Sequence, residues 1–92
     1  MKSIICNDPE CYICGTTVDL HRHHIFFGTA NRKLSEKYGC WVYLCARHHN
    51  MSALGVHHNR ELDLKLKQTA QNVFEEKYSH EKFVTVFGRS WL

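Results

Sequence analysis

Cysteine and histidine are the residues of this chain whose types and spacing could do chemistry. The run Leu44-Cys45-Ala46-Arg47-His48-His49-Asn50 sets one thiol and two imidazoles within about one helical turn. Similar groups recur in Cys11-Tyr12-Ile13-Cys14, in His21-Arg22-His23-His24 and in Val56-His57-His58. The chain has 8 histidines in 92 residues, and imidazole both ligates metals and moves protons near neutral pH. Cys11 with Cys14 and Cys45 with His48 are two half-sites, each with two intervening residues, and together they make the Cys3His set of a structural zinc site. In a chain this short, such a site could carry much of the folding energy. The plain alternative has Cys45 as a buried apolar residue and His48 on the surface. A Cys2His2 finger through His23 is a rival, but Cys14 and His23 are closer together than the ~12 residues of that motif, and Cys45 and His48 would be left without a role. A redox dithiol would need a βαβ pattern around Cys11 and Cys14, which is missing. Cys6 and Cys40 read as small hydrophobes.

With those ligands assigned, His23, His24, His49, His57 and His58 remain. Adjacent histidines on a strand point to opposite faces, so one can bind an ion while its neighbour addresses whatever lies beside it. On a helix His49 would project about 100° from His48, far enough to serve a separate cavity. The expectation is a second, chemically active site next to the structural one.

The order Cys-x2-Cys, Leu-His-x-His-His-Ile, then Val-Tyr-Leu-Cys-x2-His-His-Asn resembles the HNH, or ββα-metal, endonucleases. It is similar in particular to small phage-encoded members that carry His-His-Ile-Phe-x-Gly and a later Gly-Val-His. The resemblance covers residues from about Cys11 to Asn59 and is specific as a combination of motifs. It implies a DNA endonuclease or nickase in which His24 is the general base and His23 and His49 bind the catalytic ion. Many members place a further metal-binding histidine where this chain has Ala53, so the resemblance leaves His57 or His58 as the third ligand, with His57 preferred because it follows Gly55-Val56. The family's central asparagine corresponds to Cys40, and Asn31 or Asn50 could brace the base in its place.

That chemistry is coherent on its own terms. Phosphodiester hydrolysis needs a deprotonated water and relief of charge on the phosphate and the leaving oxygen. An imidazole can take the water's proton near neutral pH, and a divalent ion relieves the charge as a Lewis acid. Imidazole ligands suit a transition ion, with Mg²⁺ or Mn²⁺ as the further choices. The competing reading is a zinc-stabilised nucleic-acid-binding module without catalysis.

The elements that must position these groups follow from the pattern. Residues 20–26 and 41–44 read as strands, and a helix is expected from about residue 46. Residues 27–31 read as a loop, followed by a short charged helical segment ended by Gly39. Residues 60–78 and 80–87 read as helices, the second capped by Ser79, with Leu62, Leu66, Ala70 and Phe74 on one stripe and Phe83, Val84 and Phe87 on another. The fold class is α+β: one domain over 1–92, a zinc-stabilised ββα-metal core at 11–59, and helices at 60–92. The net charge of +3 is compatible with DNA as partner, and Arg32, Lys33, Arg47 and Arg60 lie close enough in sequence to hold phosphates. Arg32 and Lys33 are expected in the inter-strand loop, and Lys65, Lys67 and Lys77 in solvent. No segment approaches membrane-spanning length, and 5 cysteines without a signal peptide suggest a reducing cytoplasm, that of the host if the chain is phage-encoded.

Overall fold

Two β-rich runs separated by a helical insert pair with each other. Strand β1 (Leu20–His24) lies antiparallel to β2 (Trp41–Cys45) in a two-stranded sheet, with His23 opposite Val42 and His24 opposite Trp41. The computed structural model describes residues 1–51 and 55–92; Ala53 lies outside the described residues. Strand alternation buries His23 and leaves His24 half-buried, so the two imidazoles serve opposite faces. β1 stops two residues short of the predicted end. There the Phe26 N–H donates to Ser35 Oγ (3.1 Å) and the Ser35 hydroxyl donates to Phe26 O (2.7 Å), so a buried side chain replaces the neighbouring strand.

The insert is helix α1 (Thr29–Tyr38), which begins two residues earlier than expected. Arg32 and Lys33 therefore stand on its first turns and not in a loop. The helix ends at Gly39, whose φ of 74° is left-handed, and a Cβ there would also collide with the Lys2 carbonyl oxygen. The predicted helix after β2 is instead a single wide turn of π type, Arg47–Met51, followed by a 3-10 turn at Val56–His58. Gly55 joins them at close quarters: a side chain at this buried position would come within 3.0 Å of the His49 and Asn50 backbone.

The C-terminal third is helical, as expected. Helix α2 (Arg60–Lys77) is capped by Asn59, whose side chain accepts from the Leu62 N–H, and α3 (His80–Phe87) by Ser79, which accepts from the Lys82 N–H. Leu66, Ala70 and Phe74 form the buried stripe of α2, and Phe83 and Phe87 that of α3. Val84 does not join them; it is exposed. Lys65 and Lys77 face solvent, whereas Lys67 is only 5% exposed. Its ammonium lies 2.7 Å from Asp63 Oδ2 and over the rings of Phe27 and Trp91, which come from distant parts of the chain. Among the described residues, no helix is long and apolar enough to cross a membrane.

The helices are tied to the sheet through rings. Phe26, two residues beyond His24, packs against Phe83 (centroids 5.1 Å apart) and Phe87 (4.5 Å), and Phe83 also meets Phe74 at 5.4 Å. Phe83 is fully buried in this group. Phe83→Ala is therefore expected to cost about 3–5 kcal/mol in urea unfolding of the metal-loaded protein, the transfer and cavity terms for a large aromatic.

Candidate metal centres

The first centre is built from two turns. Cys11 and Cys14 lie on a tight turn closed by Gly15 (φ 78°), whose N–H donates to Cys11 O at 2.8 Å, while Cys45 ends β2 and His48 stands in the wide turn that follows. The Tyr12 N–H donates to Tyr43 O at 2.8 Å, clamping the first turn to β2. The ligand atoms of Cys11, Cys14, Cys45 and His48 all lie within 4.8 Å of one another. Cys14 Sγ is 3.8 Å from Cys45 Sγ, and His48 Nδ1 is 3.8 Å from Cys11 Sγ and 3.3 Å from Cys45 Sγ. Ligands at ~2.3 Å from a tetrahedral ion stand about 3.8 Å apart, whereas a disulfide would bring the sulfurs to about 2 Å. The set could hold a metal ion such as zinc.

The electrostatics fit a thiolate site. Burial pushes the Cys11 thiol up, but hydrogen bonds from the backbone of Cys45, Cys14 and Ile13 outweigh it, and the net shift is down, toward thiolate. For Cys14 the balance reverses. Its backbone bond from Thr16 favours the thiolate, yet desolvation and the nearby Cys11 and Cys45 sulfurs push the thiol up. Clustered sulfurs resist ionising together without a cation among them. Cys40 takes no part: burial alone pushes its thiol up to about 12, and the side chain is fully enclosed, the small hydrophobe that was expected.

The second centre begins one peptide bond later. The ligand atoms of His23, His49 and His57 also lie within 4.8 Å of one another, with His49 Nε2 and His57 Nε2 only 3.2 Å apart. The rings stand about the same point, with centroid separations of 5.3 Å for His23–His49, 5.2 Å for His23–His57 and 4.8 Å for His49–His57. Nitrogens bound at ~2.1 Å to one ion at octahedral to tetrahedral angles stand about 3.0–3.4 Å apart, a range that contains the His49–His57 separation. His23 Nε2 is buried with no hydrogen-bond partner, a polar atom whose desolvation an ion would offset. Burial, then the neighbouring His49 and His57, lower the His23 pKa to about 3; burial, then His57 and His21, lower that of His49 to about 4. Both are neutral at pH 7, the form that ligates.

Of the two candidates for the third ligand, the structure brings His57 into the cluster and turns His58 away. His58 Nε2 lies 3.0 Å from the Asn50 carbonyl oxygen, and the close packing of Gly55 on the His49–Asn50 backbone sets the turn that makes this division. In the protein with its Cys3His site loaded, His57→Ala is expected to weaken Mn²⁺ or Ni²⁺ binding by more than about 100-fold in calorimetric titration, since even outer residues of metal sites cost 10–100-fold. His58→Ala should leave that affinity within about a factor of three.

Two partners escaped the sequence reading. His21 Nδ1 stands 2.9 Å from His49 Nδ1, and a proton on His49 Nδ1 donated to His21 leaves His49 Nε2 free for an ion. The signal was present, because His21 and His23 sit two apart on one strand and share its face. Glu36 on α1 lies 3.2 Å from His24 Nε2 through Oε1, and its two oxygens are held by Arg22 Nη1 at 2.8 and 2.9 Å. Burial pushes the Glu36 carboxyl up, but the bonds from Arg22 and His24 outweigh it, and the net shift is down. Glu36 is the group beside His24, in place of the Asn31 or Asn50 expected there. Its contact depends on how α1 folds back against β1, which local pattern does not reveal.

Above the histidines a cleft of about 290 Å³ is bounded by His23, His24, His49, His57, Phe27 and Arg32. His24 and Arg32 also border a second cleft of about 540 Å³ with Lys33 and Glu36. Arg60 borders a third, while Arg47 is exposed on the turn that carries both His48 and His49. Comparison with protein-family models, curated proteins and solved structures finds no match to this chain.

Proposed function

We propose that the chain is a metal-dependent DNA endonuclease or nickase of the HNH type, with a ββα-metal core stabilised by zinc on Cys11, Cys14, Cys45 and His48. The observation that carries the reading is a three-histidine cluster with an orphaned buried nitrogen, set beside a fourth histidine with a carboxylate on its ring. His23, His49 and His57 would hold a divalent ion, Mg²⁺, Mn²⁺ or another transition metal, which supplies Lewis-acid relief of charge at the scissile phosphate.

The rest of the chemistry belongs to the chain. His24 is the general base. With Nε2–H donating to Glu36, its Nδ1 is the free acceptor, and it takes the proton of a water as that oxygen attacks phosphorus and the bond to the leaving oxygen breaks. Glu36 fixes the tautomer and ring orientation, and Arg22 holds Glu36 in turn. Arg32 and Lys33 on α1 border the clefts around His24 and hold the strand through its phosphates, as positioning contacts that read no base. Glu36→Ala is expected to lower the cleavage rate about tenfold at saturating DNA with metal content unchanged, and Glu36→Gln, which still accepts from Nε2–H, to recover most of it.

Incubating the zinc-loaded protein with an end-labelled DNA duplex tests the reading. Cut strands are expected on a denaturing gel with added Mg²⁺, Mn²⁺ or Ni²⁺ and none without them. Intact DNA with every ion contradicts it.

A further inference from the structure

Behind the histidine cleft lies another, of about 330 Å³, that the proposed chemistry does not use. It is bounded by Phe27, Arg60, Asp63, Lys67, Arg89 and Trp91. Phe27 is the wall common to both clefts. Its ring lies 5.2 Å from that of His57, and the Lys67 ammonium lies 4.0 Å from its centroid, yet 43% of the residue remains exposed. Lys67 spans this wall and the opposite one, at 4.5 Å from the Trp91 ring. Trp91 is fastened in turn: its N–H donates to the fully buried Gln71 at 2.7 Å and its carbonyl accepts from Gln68 at 3.0 Å. These are restraints on both walls of a preformed cleft.

Its charges are arranged unevenly. Asp63 and Lys67 neutralise each other at 2.7 Å. Arg60 and Arg89 are both exposed, and neither meets a carboxylate in any ion pair among the described residues; Arg89 lies over the Trp91 ring at 3.8 Å. The cleft thus presents two uncompensated guanidinium groups, the donors best shaped for phosphate oxygens, beside a partly exposed aromatic side chain that adjoins the histidine cluster.

We infer that this cleft is a second phosphate subsite, in which Arg60 and Arg89 hold a phosphodiester that flanks the one cut at the histidines, with the intervening nucleotide against Phe27. The inference rests on the nuclease reading for the identity of its strand, but its test is a binding measurement. Zinc-loaded wild type, Arg60→Gln/Arg89→Gln and Arg60→Lys/Arg89→Lys are titrated against a fluorescent DNA duplex in Ca²⁺ over a range of salt. The glutamine pair is expected to bind at least about tenfold more weakly at 0.1 M salt, with the slope of log K against log salt reduced by about 1.8, the share of two phosphate contacts. The lysine pair should keep the slope. In wild type, a duplex with one neutral methylphosphonate next to the cut should lose affinity, and the glutamine pair should be indifferent to that replacement. Equal slopes in wild type and the glutamine pair, or a methylphosphonate effect that persists in the variant, overturns the subsite. A slope reduced in the glutamine pair but no cleavage under Mn²⁺ leaves a phosphate-binding cleft standing and removes the nuclease. Cleavage with unchanged slopes does the reverse.

Discussion

Replacing Cys45 by serine, or withdrawing zinc with a chelator, is expected to abolish the cooperative thermal transition of this protein or lower its midpoint by more than about 20 °C. A domain of this size buries a small share of its surface and has a total stability of about 5–15 kcal/mol, whereas structural zinc sites contribute about 10–16 kcal/mol in the peptides that fold around them. Each kcal/mol moves the midpoint of a domain this short by about 4–8 °C, so the loss of about half of the metal's contribution reaches the stated shift. The geometry says where the damage would fall. Cys11 and Cys45 are buried, at 2% and 5% exposure, and the turn holding Cys11 and Cys14 is fastened to β2 by few bonds besides the Tyr12–Tyr43 contact. The sulfurs and the His48 nitrogen are crowded within 4.8 Å of one another, an arrangement that an ion would bridge. The phenylalanine group that joins α2 and α3 to the sheet can hold residual helix, so circular dichroism should lose cooperativity more completely than helical signal. Calorimetry of the zinc-loaded and chelated protein checks this, and an unchanged midpoint after stoichiometric zinc loss contradicts it.

His24→Ala is expected to lower the rate of DNA cleavage by about 10²–10⁴-fold, the contribution of a positioned general base, while leaving zinc content and binding of the second ion intact. His24 is absent from the His23, His49, His57 cluster because the strand turns it to the opposite face, where it meets Glu36. Its loss therefore removes no ligand. His49→Ala should act differently and abolish binding of the second ion along with cleavage. Burial, then the neighbouring His57 and His21, lower its pKa to about 4, so it takes no proton near pH 7 and serves as a neutral ligand. Rates at saturating ion and DNA separate the two variants: more Mn²⁺ should restore nothing to His24→Ala.

What was legible in the residues was local. Cys-x2-Cys and Cys-x2-His place two ligands on one side of one turn whatever the rest of the chain does, and Ser79 caps α3 through a group three residues on. Strand alternation was enough to send His23 and His24 to opposite faces, and a glycine before Val56-His57 was enough to favour His57 over His58. What was hidden depended on distant chain. Lys67 reads as a surface lysine on a helix, and only the meeting of Phe27 and Trp91 encloses it. Glu36 reaches His24 because α1 folds back over β1 across 12 residues. The turn at Arg47–Met51 could not be told from the start of a helix, since its apolar pattern is too short for a period to show. The association of the two half-sites into one centre was inferred from matching spacing, and the structure places their four ligand atoms together.

The most direct measurement is conversion of supercoiled plasmid to open circles by zinc-loaded wild type, His24→Ala and His49→Ala side by side, in Mg²⁺, Mn²⁺ and Ni²⁺. The account predicts open circles from wild type with at least one of these ions, and at most about a hundredth of that rate from either variant at equal zinc content. Equal conversion by wild type and His24→Ala, or no conversion by wild type with any ion, contradicts it.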